Sequence, residues 1–204
     1  MSGAAPVRPL GAVPPAVAAA LVLGSYLAVR SGATEVVDRE VERRLTSVRH
    51  RRGDHVLVVA TDLGSTFGLI GTSTVLALTG RRTAAAEVSA AGTAAWVLAQ
   101  AVKPALGRPR PYELGSSVRL VSPPAGSSWP SGHAAVGAAM ATALITLGDR
   151  RLALLAAAGA VGIGVSRISV GVHHLSDVVA GWGVGVLAAA CSGAITRRLR
   201  LRTR

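Results

Sequence analysis

Three groups of residues in this 204-residue chain have the types and spacing to act on an anion. The first runs Lys103-Pro104-Ala105-Leu106-Gly107-Arg108-Pro109-Arg110-Pro111, and the second is Pro130-Ser131-Gly132-His133. The third is Ser166-Arg167, followed by His173-His174-Leu175-Ser176-Asp177. Lys103, Arg110 and Arg167 are three cations, and cations gathered away from water are costly unless an anion neutralises them. The planar guanidinium fork matches two phosphate oxygens, and an ammonium adds a point charge. Ser131 and Gly132 precede an apolar run that reads as a helix. Their backbone N–H groups, with the positive end of the helix dipole, are expected to face the same anion. A cradle of this kind stabilises a phosphoryl group in transfer.

His173 and Asp177 are four residues apart and share a helical face. A carboxylate at one imidazole nitrogen fixes the tautomer and leaves the other nitrogen free to attack phosphorus. His133 then suits a general acid towards the leaving oxygen, and later a base towards water. Each element also has a plain structural reading. Basic residues near span ends snorkel, Ser-Gly before a helix is a cap, and a His–Asp pair is a common helix pair or half a metal site. The chemical reading gains because all three groups fall on one side of the membrane in the layout below. His50 and His55 read as surface residues. His174, turned about 100° from His173 on a helix, reads as interfacial rather than catalytic.

The elements that must position these residues are helices in a bilayer. Half the chain is hydrophobic, 16% is charged and mean hydropathy is +0.46, which argues against disorder and against a soluble globule. The net charge of +12 raises nucleic acid, anionic lipid or a phosphate-bearing substrate as partner. The single cysteine, Cys191, leaves no disulfide framework and no thiolate metal site. Uncharged runs fall at Leu10–Val29, Leu63–Gly80, Val88–Val102, Ala134–Gly148, Leu152–Ser166 and Val178–Thr196. A span needs about 20 apolar residues. The first, second and last satisfy this directly. The other three do so when extended to Thr83–Val102, Trp129–Gly148 and Leu152–Val172, which take in Glu87, His133 and Arg167. Ionisable groups at membrane depth mark function.

An all-α, six-span transmembrane bundle forming one domain over residues 1–204 is therefore expected, with its site at the membrane interface. Within it lie a charged connector at 31–54, a site loop at 103–130 and a basic tail at 197–204. Val37, Val41, Leu45 and Val48 share one face of the connector. An amphipathic helix lying in the interface and a solvated helix laced with ion pairs are both open readings. Residues 111–129 read as a mobile lid or as an ordinary long connection. A cleaved leader at the N-terminus is the less favoured alternative, since its removal would leave an odd number of spans. The basic tail, set against anionic lipid, favours cytoplasmic termini and hence an extracytoplasmic site.

At these residues the chain resembles the type 2 phosphatidic acid phosphatase superfamily. Its signature is Lys, six residues, Arg-Pro; Pro-Ser-Gly-His; and Ser-Arg, five residues, His, three residues, Asp. Lys103 with Arg110-Pro111, Pro130 to His133, and Ser166-Arg167 with His173 and Asp177 fill every position. Arg108-Pro109 offers a second Arg-Pro at the wrong spacing. The resemblance implies a helical bundle in which His173 forms a phosphohistidine, Asp177 orients it and His133 is the acid and base. It implies that Lys103, Arg110, Ser131, Gly132 and Arg167 hold the phosphate, with no metal or other cofactor. The expected function is a membrane phosphatase acting on a lipid phosphate or diphosphate, such as phosphatidic acid, phosphatidylglycerol phosphate or a polyprenyl diphosphate. Phosphotransfer to an acceptor other than water, and a non-enzymatic lipid-binding or transport role, are the alternatives. The bilayer and its phosphorylated lipids are the partners, and nucleic acid is not needed to explain the charge. The residues leave oligomeric state open.

Overall fold

The computed structural model describes residues 13–146 and 149–202, the side chains of 51, 52 and 194–202 excepted. Eight α-helices run through the described residues: α1 (Pro15–Arg30), α2 (Glu35–Ser47), α3 (Arg51–Asp62), α4 (Thr66–Leu78), α5 (Arg82–Val102), α6 (Gly132–Ile145), α7 (Arg150–Ser169) and α8 (Leu175–Arg202). Among these residues there is no strand, as an all-α reading requires. The side chains of the basic tail lie outside the described residues, as do residues 10–12 of the first expected span.

The centre of the bundle is α6, packed against α5, α7 and α8. Its apolar run is built from small residues, with Ala134, Ala135, Ala138 and Ala139 all buried. Small residues matter here because lipid gives helices no hydrophobic reason to associate, so close backbone approach must supply the contact. Gly181 and Gly185 of α8 make that approach possible. A Cβ on Gly181 would lie 2.5 Å from the carbonyl oxygen of Ser131, and one on Gly185 would overlap the carbonyl of Ala135. The contact carries into the site, because the Ser131 N–H donates to the Asp177 carbonyl at 3.0 Å. The start of α6 is thereby fixed to the first turn of α8.

Two helices are long and apolar enough to cross a bilayer alone: α7, and Leu175–Gly193 of α8. Two bent pairs pass the same test together, α1 with α2 (bent by 101°) and Gly53–Asp62 with α4 (bent by 69°). The chain is a multi-pass membrane protein, with two such crossings by length and composition, or up to four if each bent pair counts. The six expected spans correspond to α1, α4, α5, α6, α7 and α8, of which four fall short of that test alone. The reasons are physical: α1, α4 and α6 have 16, 13 and 14 residues, and α5 carries Arg82, Glu87 and several hydroxyls. Large apolar side chains such as Phe67, Leu78 and Leu155 stand on the outer surface, where lipid can cover them.

The charged connector forms α2, followed after Val48–His50 by the start of α3. Val37 and Val48 of the apolar face are exposed, while the acids Asp38 and Glu42 are the buried residues of α2. Arg43 and Arg44 do pair with Glu40 on the outer face. The helix thus turns carboxylates inward, towards the site.

Candidate active site

His173 lies in the short link between α7 and α8, and Asp177 one turn into α8. The Nδ1 of His173 is 3.6 Å from Oδ2 of Asp177, an ion-pair distance that leaves a hydrogen bond still to close. Contacts of this kind are often long in a resting enzyme and tighten with substrate. The opposite nitrogen, Nε2, stands 3.3 Å from Nη1 of Arg110. Burial holds the His173 imidazole well below its ordinary pKa, with Asp177 pulling the other way and Arg167 and Arg110 adding to the depression. A neutral ring keeps its lone pair for attack.

Asp177 is wholly buried and fully engaged. Its Oδ1 accepts from Nη1 of Arg108 at 2.6 Å, and its Oδ2 accepts from the Ser128 hydroxyl and from the His174 N–H at 2.8 Å. Three donors beyond His173 therefore aim this carboxylate.

The three cations are held by neutral oxygens. Arg110, 1% exposed, donates to the carbonyls of Val172, Ala125, Gly126 and Ser127 at 2.9–3.2 Å. Lys103 donates to the carbonyls of Ser127 and Pro130, so it converges with Arg110 on one loop. Arg167 donates to the Thr61 hydroxyl of α3 at 2.8 Å. The Nε atoms of Arg110 and Arg167 are buried without a partner. Among the described residues, no ion pair involves Lys103, Arg110 or Arg167. Arg167 and His133 line one open cavity of about 530 Å³, together with Val58, Thr61 and Asp62 of α3 and with Leu120–Pro124.

Burial and, after it, the charge of Arg110 lower the Lys103 ammonium to about 8, against a smaller opposing pull from Asp177. A lowered ammonium pKa means the charge is lost as pH rises through that value. If Lys103 holds an anion, kcat/KM is expected to fall as pH rises through about 8, because this ratio follows the free enzyme. Lys103→Arg should remove that limb from the pH–rate profile, since a guanidinium stays charged.

Ser131 departs from expectation. Its N–H is committed to the Asp177 carbonyl, and its hydroxyl caps α6 by accepting from Ala134 N–H at 3.5 Å. Of the two amides expected to face an anion, this leaves that of Gly132. His174 is buried, with Nδ1 3.8 Å from Glu42.

Several residues of the site escape the sequence reading. Arg108 belongs to an Arg-Pro at the wrong spacing for the resemblance, Ser128 sits in a Ser-rich loop, and Asp38, Glu42 and Thr61 lie in helices remote in sequence. The site loop is clasped rather than free. Ser116 donates to Glu42, Arg49 donates to the Val118 carbonyl, and the Leu120 N–H donates to the Val170 carbonyl. From α1, Ser25 donates to the Ser176 carbonyl at 2.8 Å and accepts from the Trp129 indole at 3.1 Å. Among the described residues, no cluster of three or more His, Cys, Asp or Glu is placed to hold a metal ion.

Fold and site together define an all-helical membrane protein that buries the side chains of His173, Arg110 and Arg167 at one end of its bundle. The model of the PAP2 superfamily matches residues 84–200, more than half of the chain, and the chain belongs to that superfamily. An undecaprenyl-diphosphatase of Sulfolobus acidocaldarius is 34% identical over 90 residues, 44% of this chain and 44% of that one. A lipid A 1-phosphatase of Rhizobium etli is 37% identical over 95 residues, 44% of this chain and 40% of that one. The matches thus span less than half the length of these relatives. In fold, the chain is similar to the transmembrane PAP2 type phosphatidylglycerolphosphate phosphatase from Bacillus subtilis. That likeness has a TM-score of 0.76 at 21% identity, covering 90% of this chain and 96% of that one. It is also similar to LpxE of Aquifex aeolicus, with a TM-score of 0.69 at 27% identity over 78% and 95% of the two chains.

Proposed function

We propose that this protein is a membrane phosphatase that removes a phosphoryl group from a lipid phosphate or diphosphate through a phosphohistidine. The observation that carries the reading is the set of three cations that, among the described residues, form no ion pair, with Arg110 at 3.3 Å from His173. Cations so placed call for an anion. The named activities of the relatives share one substrate feature, a phosphate on a lipid anchor, and a polyprenyl diphosphate is the first candidate to test. Six spans and an extracytoplasmic site complete the proposal, supported by the chain order of the helices and the basic residues after Ala194.

In this mechanism Arg110, Lys103, Arg167 and the Gly132 amide hold the phosphoryl oxygens, with the Ser131 hydroxyl beside them. The Nε2 lone pair of His173 forms the N–P bond as the bond from phosphorus to the lipid oxygen breaks. His133 gives its proton to that oxygen, and Asp177 stabilises the positive charge arising on His173. His133 then takes a proton from water as the water oxygen bonds to phosphorus and the N–P bond breaks. Phosphate leaves, and both histidines return to their starting forms. The cations supply the charge neutralisation that magnesium supplies elsewhere.

Phosphate release from detergent-solubilised protein, offered phosphatidic acid, phosphatidylglycerol phosphate and a short polyprenyl diphosphate, tests the reading. Turnover of at least one is expected, and turnover of none would overturn it. Activity should persist in EDTA, and vanadate, which mimics the phosphoryl group in transfer, should inhibit competitively. Loss of activity in EDTA with recovery on adding a divalent metal would replace this mechanism with a metal-assisted one.

A further inference from the structure

Behind the His173–Asp177 pair lies a buried chain of charges reaching into α2. Arg108 spends one arm on Asp177 and Ser176, its Nη1 lying 2.6 Å from Asp177 and 2.7 Å from the Ser176 hydroxyl. Its other arm, Nη2, donates to Oδ2 of Asp38 at 2.8 Å. Asp38 also accepts from the Ser176 hydroxyl at 2.7 Å and from the Ser176 N–H at 2.9 Å. Asp38 and Asp177 are deeply buried, at 3% and 0% exposure, and Arg108 is partly buried at 12%. Every carboxylate oxygen of Asp38 and Asp177 accepts at least one bond, and the arginine fork is locked at both ends.

Two consequences follow from this arrangement. A guanidinium held at both ends cannot swing, so it fixes the angle at which Asp177 meets Nδ1 of His173. Arg108 alone would also cancel the charge of Asp177. A second carboxylate returns the cluster to a net negative charge, which His173 needs as it becomes cationic during N–P bond formation.

We propose that Asp38 is a positioning residue for phosphoryl transfer: it acts through Arg108 to aim Asp177 and to preserve its charge at His173. This makes α2 a working part of the site, although it lies outside the matched residues 84–200. The inference rests on the phosphatase reading above.

The test is steady-state phosphate release from phosphatidic acid and a short polyprenyl diphosphate by purified full-length protein. Asp38→Asn is expected to lower kcat by about ten- to a hundred-fold, the usual cost of removing a group behind a reactive one, with KM nearly unchanged. A merely structural role would lower thermal stability or raise KM instead. Arg108→Gln should cost at least as much, and the double variant should be no slower than Arg108→Gln alone, because Asp38 acts through that arginine. Losses that multiply, or wild-type kcat in Asp38→Asn, would overturn the proposal. Should Asp38→Asn not fold, Ser176→Ala keeps all charges, loosens the same fork and is expected to lower kcat more modestly at constant KM. Wild-type kcat in Ser176→Ala would then be the contradicting result. Inactivity of the wild-type protein on every substrate defeats the phosphatase reading and this inference with it. An active wild type beside an unaffected Asp38→Asn defeats only the inference.

Discussion

His173→Ala is expected to abolish phosphate release, lowering kcat by more than about 10⁴-fold, while the protein remains folded. The size of the effect follows from the role: without the ring there is no atom to form the N–P bond, and removal of a nucleophile ranks among the costliest changes to an enzyme. The retained fold follows from the geometry. Asp177 keeps Arg108, Ser128 and the His174 amide when the imidazole is gone. No buried carboxylate is stranded, so the usual penalty for breaking a buried pair is largely avoided. Turnover assays alongside thermal denaturation in the same detergent check both halves. Near-normal turnover in a folded His173→Ala protein would remove the nucleophile from the proposal.

His133→Ala is expected to lower kcat by about 10²–10⁴-fold, corresponding to about 3–5 kcal/mol of transition-state stabilisation. His133 sits in the first turn of α6 and lines the same cavity as Arg167. The loss should depend on the leaving group. A phosphomonoester releases an alkoxide that needs a proton, whereas a diphosphate releases a phosphate that needs it less. The ratio of wild-type to variant rate is therefore expected to be larger for phosphatidic acid than for a polyprenyl diphosphate. Combining His133→Ala with His173→Ala should cost no more than His173→Ala alone, since an acid has nothing to assist once the nucleophile is missing. Equal losses on both substrates would place His133 elsewhere in the cycle.

The part of the site that could be read from sequence is the part that obeys local spacing. His173 and Asp177 are four residues apart where the link enters α8, and Lys103 and Arg110 flank a short Pro-rich turn, so their nearness follows from covalent distance. The same logic located the helices in the apolar runs. It did not find the break at Asp62–Thr66, marked only by Gly64 and Ser65, nor the one at Ser47–Arg51, where the basic run Arg49-His50-Arg51-Arg52 suits a solvated helix as well as a turn. Nor could it find partners brought from far along the chain. Thr61 meets Arg167, and Asp38 meets Arg108, across more than 60 residues. Helical periodicity grouped Val37, Val41, Leu45 and Val48 on one face of the connector, because it follows apolar residues alone. Val41 and Leu45 do pack against the core, but the fully buried residues of α2 are Asp38 and Glu42, whose burial is offset by Arg108, Ser176 and Ser116. Hydropathy patterns cannot see a charge whose partner lies on another helix.

The covalent intermediate gives the most direct measurement. Protein mixed with a phosphorylated lipid substrate and quenched within the first turnovers in alkali can be digested and mapped by mass spectrometry. A phosphoryl group on His173, stable to base and lost in acid, is the expected result, and it should be absent from His173→Ala. Phosphate release without any phosphoryl-enzyme, or a phosphoryl group on another residue, would contradict the central claim that His173 forms the bond to phosphorus.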